Sequence, residues 1–172
     1  DIGPGDEVII PSLTFVACAN VVRYVGAKPV FADIKDENDW NISITDIAKK
    51  KTSKTRAIMP VHYAGYPCDI SSIAKLAAEA DVQILEDCSH APLAKHAGRT
   101  VGTFGTSGCF SFFSNKNLTT GEGGMVVSRS PDFALRIKQL RSHGITASTY
   151  QRFKGHAYGY DVTEVGFNYR LY

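Results

Sequence analysis

Apolar residues in this chain come in short, separated runs, and two spacings recur among them. Val8-Ile9-Ile10 follows Glu7 and stops at Pro11; positions 29–34, 56–63, 82–85, 109–113 and 124–128 read the same way. Runs of this length, bounded by Gly, Pro or polar residues, predict buried strands. Behind Asp69 the spacing changes: Ile70, Ile73, Ala74, Ala77 and Ala80 fall on one helical face, with Asp69 as the N-cap. Helices are also predicted over 14–26, with Gly26 as a C-cap, and over 44–51. A fourth starts at Ser130-Pro131-Asp132, where the cap, the N1 proline and a first-turn acid are in place. It carries Phe133, Ile137 and Leu140 inward and ends at Gly144. Residues 145–163 are polar and Tyr-rich, and are expected to be irregular or hairpin-like.

Strands alternating with helices predict an α/β fold, a mostly parallel central sheet with helices on both faces. Ligands of such sheets bind beyond the carboxyl ends of the strands. Composition fits this picture: 172 residues, 44% hydrophobic and 21% charged, are enough for a buried core. A net charge of +2 is too small to argue for nucleic acid or an anionic membrane as partner. The basic residues of the last third, Arg129, Arg136, Lys138, Arg141, Arg152 and Lys154, read as a solvated face. Cys18, Cys68, Cys88 and Cys109 form no C-x-x-C pair and read as reduced core thiols rather than disulfides or zinc ligands. No apolar run reaches membrane-spanning length and no signal peptide opens the chain, so the cytoplasm is the expected compartment. The chain opens at Asp1 without Met and stops two residues after Arg170, which reads as a fragment of a larger protein.

Two residues stand where chemistry is expected. Asp87 closes the run 82–85 at a strand's carboxyl edge, where it is either an ordinary cap or a group facing a ligand. Lys116 follows the run 109–113 and precedes Gly121, Gly123 and Gly124. It is either a surface lysine or, in a partly desolvated pocket, an amine whose neutral form can condense with an aldehyde. The glycines could let backbone pass close to a ligand, but they lack the P-loop pattern, and 102–108 lacks G-x-G-x-x-G. His62 and His90 sit at strand ends with no further ligands at metal-binding spacing, so they read as structural and no metal is expected. Taken together, an Asp at one strand end and a Lys after a later strand suit a pyridoxal phosphate enzyme. The Lys holds the cofactor and the Asp keeps its pyridine nitrogen protonated.

At this point the segments GPGDEVIIPSLTFVA at 3–17, PVFADI at 29–34, PVHYAGYP at 60–67, EDCSHA at 86–91, GCFSFFSNKN at 108–117, GEGG at 121–124 and GFNYR at 166–170 can be taken in order. They resemble the DegT/DnrJ/EryC1/StrS family of sugar aminotransferases across nearly the whole chain. The resemblance implies the fold type I architecture of the aspartate aminotransferase class and pyridoxal 5′-phosphate as cofactor. It also implies transfer of an amino group from glutamate to a nucleotide-linked keto sugar. Carried over by position, Lys116 is the covalent anchor and Asp87 the partner of the pyridine nitrogen. Ser111 binds the cofactor phosphate and Phe15 lies on the ring face. His90 stands where the family usually has Gln, near the phenolic oxygen. Asn168 reaches the cofactor phosphate of a neighbouring protomer, so a homodimer with a shared site is implied. The chain is then a partial large cofactor-binding domain, with the family's Gly-Thr-rich phosphate turn before residue 1 and a small C-terminal domain after residue 172. On that basis the fragment alone is expected to be inactive. Two rival readings are a sugar dehydratase of the same fold, in which His can replace the lysine, and a non-catalytic fragment or pseudoenzyme with a regulatory or assembly role. A nucleotide-binding α/β domain is disfavoured by the absent Gly fingerprints.

Overall fold

A computed structural model of the protein describes residues 1–146, 153–155 and 159–169. The elements follow in the order β1 (Glu7–Pro11), α1 (Ala17–Tyr24), β2 (Lys28–Ala32), β3 (Ile34–Asp36), β4 (Asp39–Ile42), α2 (Ile44–Lys50), β5 (Thr55–Ile58), α3 (Ile70–Glu79), β6 (Gln83–Asp87), β7 (Lys95–His96), β8 (Arg99–Thr100), β9 (Ser107–Ser111), β10 (Gly124–Val127) and α4 (Pro131–Leu140). The chain separates into two compact units, Asp1–Val127 and Ser128–Tyr172.

The first unit is built on a six-stranded sheet in the order β10-β9-β6-β5-β1-β2, parallel except for β10, which runs antiparallel to β9. The expected parallel sheet is therefore present. Its two faces follow from strand alternation, which sends successive side chains to opposite sides. Ile9, Ile58 and Ile84 point to one side and pack with Ile47 of α2 and with Ile70, Ile73 and Ala77 of α3. Val8, Ile10 and Ala57 point to the other and pack with Cys18 and Val22 of α1. Helices thus cover both faces, and each strand of the centre is apolar on both sides, as a buried parallel sheet requires.

Several boundaries differ from those expected, each for a local reason. The run 56–63 is a strand only as far as Ile58. Pro60 lacks an N–H for the ladder, and pairing resumes as a single bridge between Val61 and Asp87. The run 29–34 is interrupted at Asp33. Its carbonyl accepts from Ser43 N at 2.8 Å and its N–H donates to the Asp46 carboxylate at 2.8 Å, and the chain then enters the hairpin β3–β4. Pro29 is accommodated because β2 is an edge strand. Helix α1 begins at Ala17, three residues later than expected, and its N-cap Val16 offers no capping side chain. Gly26 follows the helix at φ +80°. β6 starts one residue and ends two residues later than the run 82–85, so Glu86 and Asp87 are its last two residues, and β9 sits two residues earlier than expected. The caps Asp69 and Ser130 both accept the anticipated backbone hydrogen bonds, from Ser72 and Phe133.

In the second unit α4 ends at Leu140, and Gly144 follows at φ +71°. Phe133, Ile137 and Leu140 are half-buried rather than buried. Ser142 pairs with Asn168 and Ile145 with Val162 through antiparallel bridges, in keeping with the hairpin-like expectation for 145–163. Of that stretch, 147–152 and 156–158 lie outside the described residues, as do Arg152 and Arg170. Arg129, Arg136, Lys138 and Arg141 are exposed. Among the described residues no helix is long and apolar enough to cross a membrane.

Candidate functional site

Asp87 is the last residue of β6, and alternation places it on the α1 side of the sheet, with Leu85. Its Oδ1 accepts from Ser89 N at 2.9 Å, and its Oδ2 accepts from the Cys18 thiol at 3.3 Å. The parallel register pairs Asp87 with Cys109 of β9. Register partners share a face, and two residues further along β9 the same face carries Ser111. Asp87 and Ser111 therefore stand on one face, at the carboxyl ends of adjacent strands. After Ser111 the chain turns: Lys116 N donates to Phe113 O at 3.0 Å, and Phe112 N to Gly123 O at 2.8 Å. Lys116 is half-buried. Gly121, at φ +81°, has no protein atom within 4 Å of where a Cβ would stand, so the turn itself is what calls for glycine there.

Phe15 lies between β1 and α1, and its carbonyl accepts from Cys18 N at 3.1 Å. Since Cys18 touches Asp87, Phe15 is tied to the same edge of the sheet; its ring is 74% exposed and so open to cover a flat ligand. His90, three residues past Asp87, packs edge-on to Tyr63 with ring centroids 6.1 Å apart. Its Nδ1 is buried and has no hydrogen-bond partner among the described residues. Asn168 belongs to the second unit, where it is exposed and its neighbours Phe167 and Tyr169 stack at 4.9 Å.

Sequence reasoning passed over two residues of this region. Glu86 is fully buried on the α3 side. Its carboxylate accepts from His62 Nε2 at 3.2 Å, Gly102 N at 2.7 Å, Phe104 N at 2.7 Å and Gly105 N at 2.8 Å. Burial raises its pKa, but the hydrogen bonds from His62 and from the backbone of 105, 102 and 104 outweigh that and hold the carboxyl below its ordinary value. His62 Nδ1 accepts from Cys68 N at 3.2 Å, which leaves Nε2 as the nitrogen that carries the hydrogen toward Glu86. His62, Glu86 and Cys88 thus converge, although no such cluster is evident from their spacing. Their polar atoms are already engaged with the protein, which gives the trio a structural explanation. A Glu two residues after the core residue Ile84 in a strand was the available signal. Cys18 is the second omission. It is buried as expected of a core thiol, like Cys68 and Cys88, but it is also bonded to Asp87; Cys109 departs from the expectation, being exposed.

The model of the DegT/DnrJ/EryC1/StrS aminotransferase family matches residues 1–172. The chain belongs to that family. It is 43% identical over 170 residues to the GDP-perosamine synthase of Escherichia coli O157:H7, covering 99% of this chain and 44% of the relative. It is 44% identical over 172 residues to a UDP-N-acetyl-3-dehydro-alpha-D-glucosamine 3-aminotransferase of Acidithiobacillus ferrooxidans, covering 99% of this chain and 43% of that one. The crystal structure of an aminotransferase from Psychrobacter cryohalolentis superposes with a TM-score of 0.89 at 39% identity, over 99% of this chain and 44% of that one. The chain thus spans less than half the length of these relatives in the DegT/DnrJ/EryC1/StrS family.

The residues at the carboxyl edge fit the cofactor expected for this family. A carboxylate suits a protonated ring nitrogen, a hydroxyl suits a phosphate oxygen, and an amine suits an aldehyde. The orphaned His90 Nδ1 is a further polar atom in want of a partner.

Proposed function

We propose that the whole protein is a pyridoxal phosphate-dependent aminotransferase that moves an amino group from glutamate to a nucleotide-linked keto sugar. The observation that carries this is the placement of Asp87 and Ser111 on one face at the ends of neighbouring strands, with Lys116 in the turn that follows. Family membership and relatives named for GDP- and UDP-sugar chemistry support the substrate class.

When bound, the cofactor supplies an aldehyde to carry the amino group and a ring that withdraws electron density from the reacting carbon. The roles of this chain's residues are those the family resemblance implies, and each suits the residue's chemistry. The Asp87 carboxylate holds a proton on the pyridine nitrogen, and the Ser111 hydroxyl donates to a phosphate oxygen. Phe15 covers one ring face and excludes water from it. His90 offers Nδ1 toward the phenolic oxygen. Lys116 would hold the cofactor through its amine, and the same amine, when free, would take the proton from the donor's α-carbon and deliver it to the cofactor's C4′. Asn168 reaches the phosphate in the site of a second protomer, making the active assembly a homodimer.

The test is spectroscopic. The full-length protein loaded with pyridoxal phosphate is expected to lose its visible band on addition of glutamate and to regain it on addition of a nucleotide-linked keto sugar. A spectrum indifferent to glutamate contradicts the donor, and one restored by simple keto acids but by no keto sugar contradicts the acceptor class.

A further inference from the structure

We propose that Cys18 is a positioning residue of the site: its thiol, backed by Thr14, fixes the rotation of the Asp87 carboxylate. The inference rests on Asp87 being the partner of the cofactor's ring nitrogen. It reaches a residue whose only expected role was that of a core thiol.

The geometry is a three-member chain. Thr14 Oγ1 lies 3.1 Å from Cys18 Sγ, and Cys18 Sγ lies 3.3 Å from Asp87 Oδ2. A carboxylate oxygen accepts, so the S–H is directed at Asp87 and the Thr14 hydroxyl is the donor to sulfur. Asp87 Oδ1 is tethered separately by Ser89 N at 2.9 Å. With one tether on each oxygen, the carboxyl plane is held against rotation, while each oxygen keeps lone-pair capacity for a further donor. The tethers come from different elements. Ser89 lies just after β6, which Asp87 ends, whereas Thr14 lies with Phe15 between β1 and α1 and Cys18 is the second residue of α1. Cys18 thereby links the group facing the ring's edge to the segment facing its plane.

The sulfur suits the task better than a stronger donor. A thiol is a weak donor, so it orients the carboxylate without competing for its charge. It also stays protonated, since burial and the neighbouring Asp87 push Cys18 up to about 12, though Thr14 pulls the other way. A thiolate there would repel Asp87. Cys18 is only 3% exposed, which shields the contact from water.

The experiment uses the full-length protein and two readouts besides turnover. The first is the infrared S–H stretch of Cys18, assigned by difference against Cys18→Ser, compared between the wild type and Asp87→Asn. The second is the Kd for pyridoxal phosphate in Cys18→Ala and Cys18→Ser. The expected result is an S–H band that moves to higher frequency in Asp87→Asn. Alongside it, affinity should weaken about threefold to tenfold in Cys18→Ala, the range of one modest hydrogen bond, and recover in Cys18→Ser. An S–H band that ignores Asp87→Asn overturns the proposal, as does Cys18→Ala binding like the wild type or Cys18→Ser weakening as much as Cys18→Ala. If Cys18→Ala folds poorly, the infrared comparison still decides, because it needs neither that variant nor the cofactor. Wild-type protein that binds no pyridoxal phosphate counts against the function reading instead, and leaves the infrared result to judge Cys18.

Discussion

Glu86 and Asp87 are consecutive residues of β6 whose carboxylates serve opposite sides of the sheet. Glu86 is fully buried and accepts from His62 and three backbone N–H groups of the 102–105 turn, while Asp87 faces Cys18 at the carboxyl edge. Strand alternation alone separates the two. Glu86 anchors the 102–105 turn, and Asp87 ends the strand at the carboxyl edge of the sheet.

Removing the anchor should unfold more than it disarms. Glu86→Ala leaves buried N–H donors and His62 without an acceptor, and is expected to cost about 3–5 kcal/mol, as for one partner of a buried pair. Urea denaturation of wild type and variant measures it. A loss below about 1 kcal/mol would mean that the network relaxes freely.

The same carboxylate sets an acid limit on stability. Its folded-state pKa is depressed, so its contribution is fully present above the unfolded value of about 4.3 and is lost as pH falls through the lower folded value. Wild-type stability should therefore fall as pH drops below about 4.3, and Glu86→Gln should show a shallower acid slope. Denaturation midpoints taken across that range check the sign.

Gly102 belongs to the anchored turn, its N–H donating to the Glu86 carboxylate. It sits at φ +84°, and an added Cβ would stand 2.9 Å from Phe110 Cζ and 3.1 Å from Cys88 Sγ. Gly102→Ala is expected to destabilise by about 1–3 kcal/mol through backbone strain, with further loss from the contacts. Its melting temperature compared with that of Gly121→Ala separates the two causes, because Gly121 has positive φ but open space.

Asp87→Asn should do the reverse of Glu86→Ala. The fold is expected to survive, since the change is isosteric, lies at the end of β6 and keeps one oxygen as acceptor for Ser89 N. Turnover of the full-length protein should fall on the order of 10²–10³-fold, the scale of losing one preorganised electrostatic partner. Circular dichroism and kcat measured on the same sample distinguish this from misfolding.

Much of this was legible beforehand. The runs around Ile9, Ile58 and Ile84 announced the parallel strands, and the helical spacing of Ile70, Ile73 and Ala77 announced α3 together with its face. Asp87 and Lys116 stand out because they follow apolar runs at the strand ends, where such sheets bind ligands. What stayed hidden depends on contacts far apart in sequence. The link from Cys18 to Asp87 spans 69 positions, and no local pattern encodes it. Glu86 was masked by its neighbour, since a charged pair at a strand end reads as solvent-facing unless the alternation is followed one step further. The short hairpins β3–β4 and β7–β8 carry too few residues to show a period.

In the proposed enzyme Lys116 is the residue that holds the cofactor. Borohydride reduction of the full-length protein loaded with pyridoxal phosphate, followed by peptide mapping, tests it most directly. One pyridoxyl-modified peptide, containing Lys116, is expected, and none in Lys116→Ala. Modification at another lysine, or its persistence in Lys116→Ala, would contradict it.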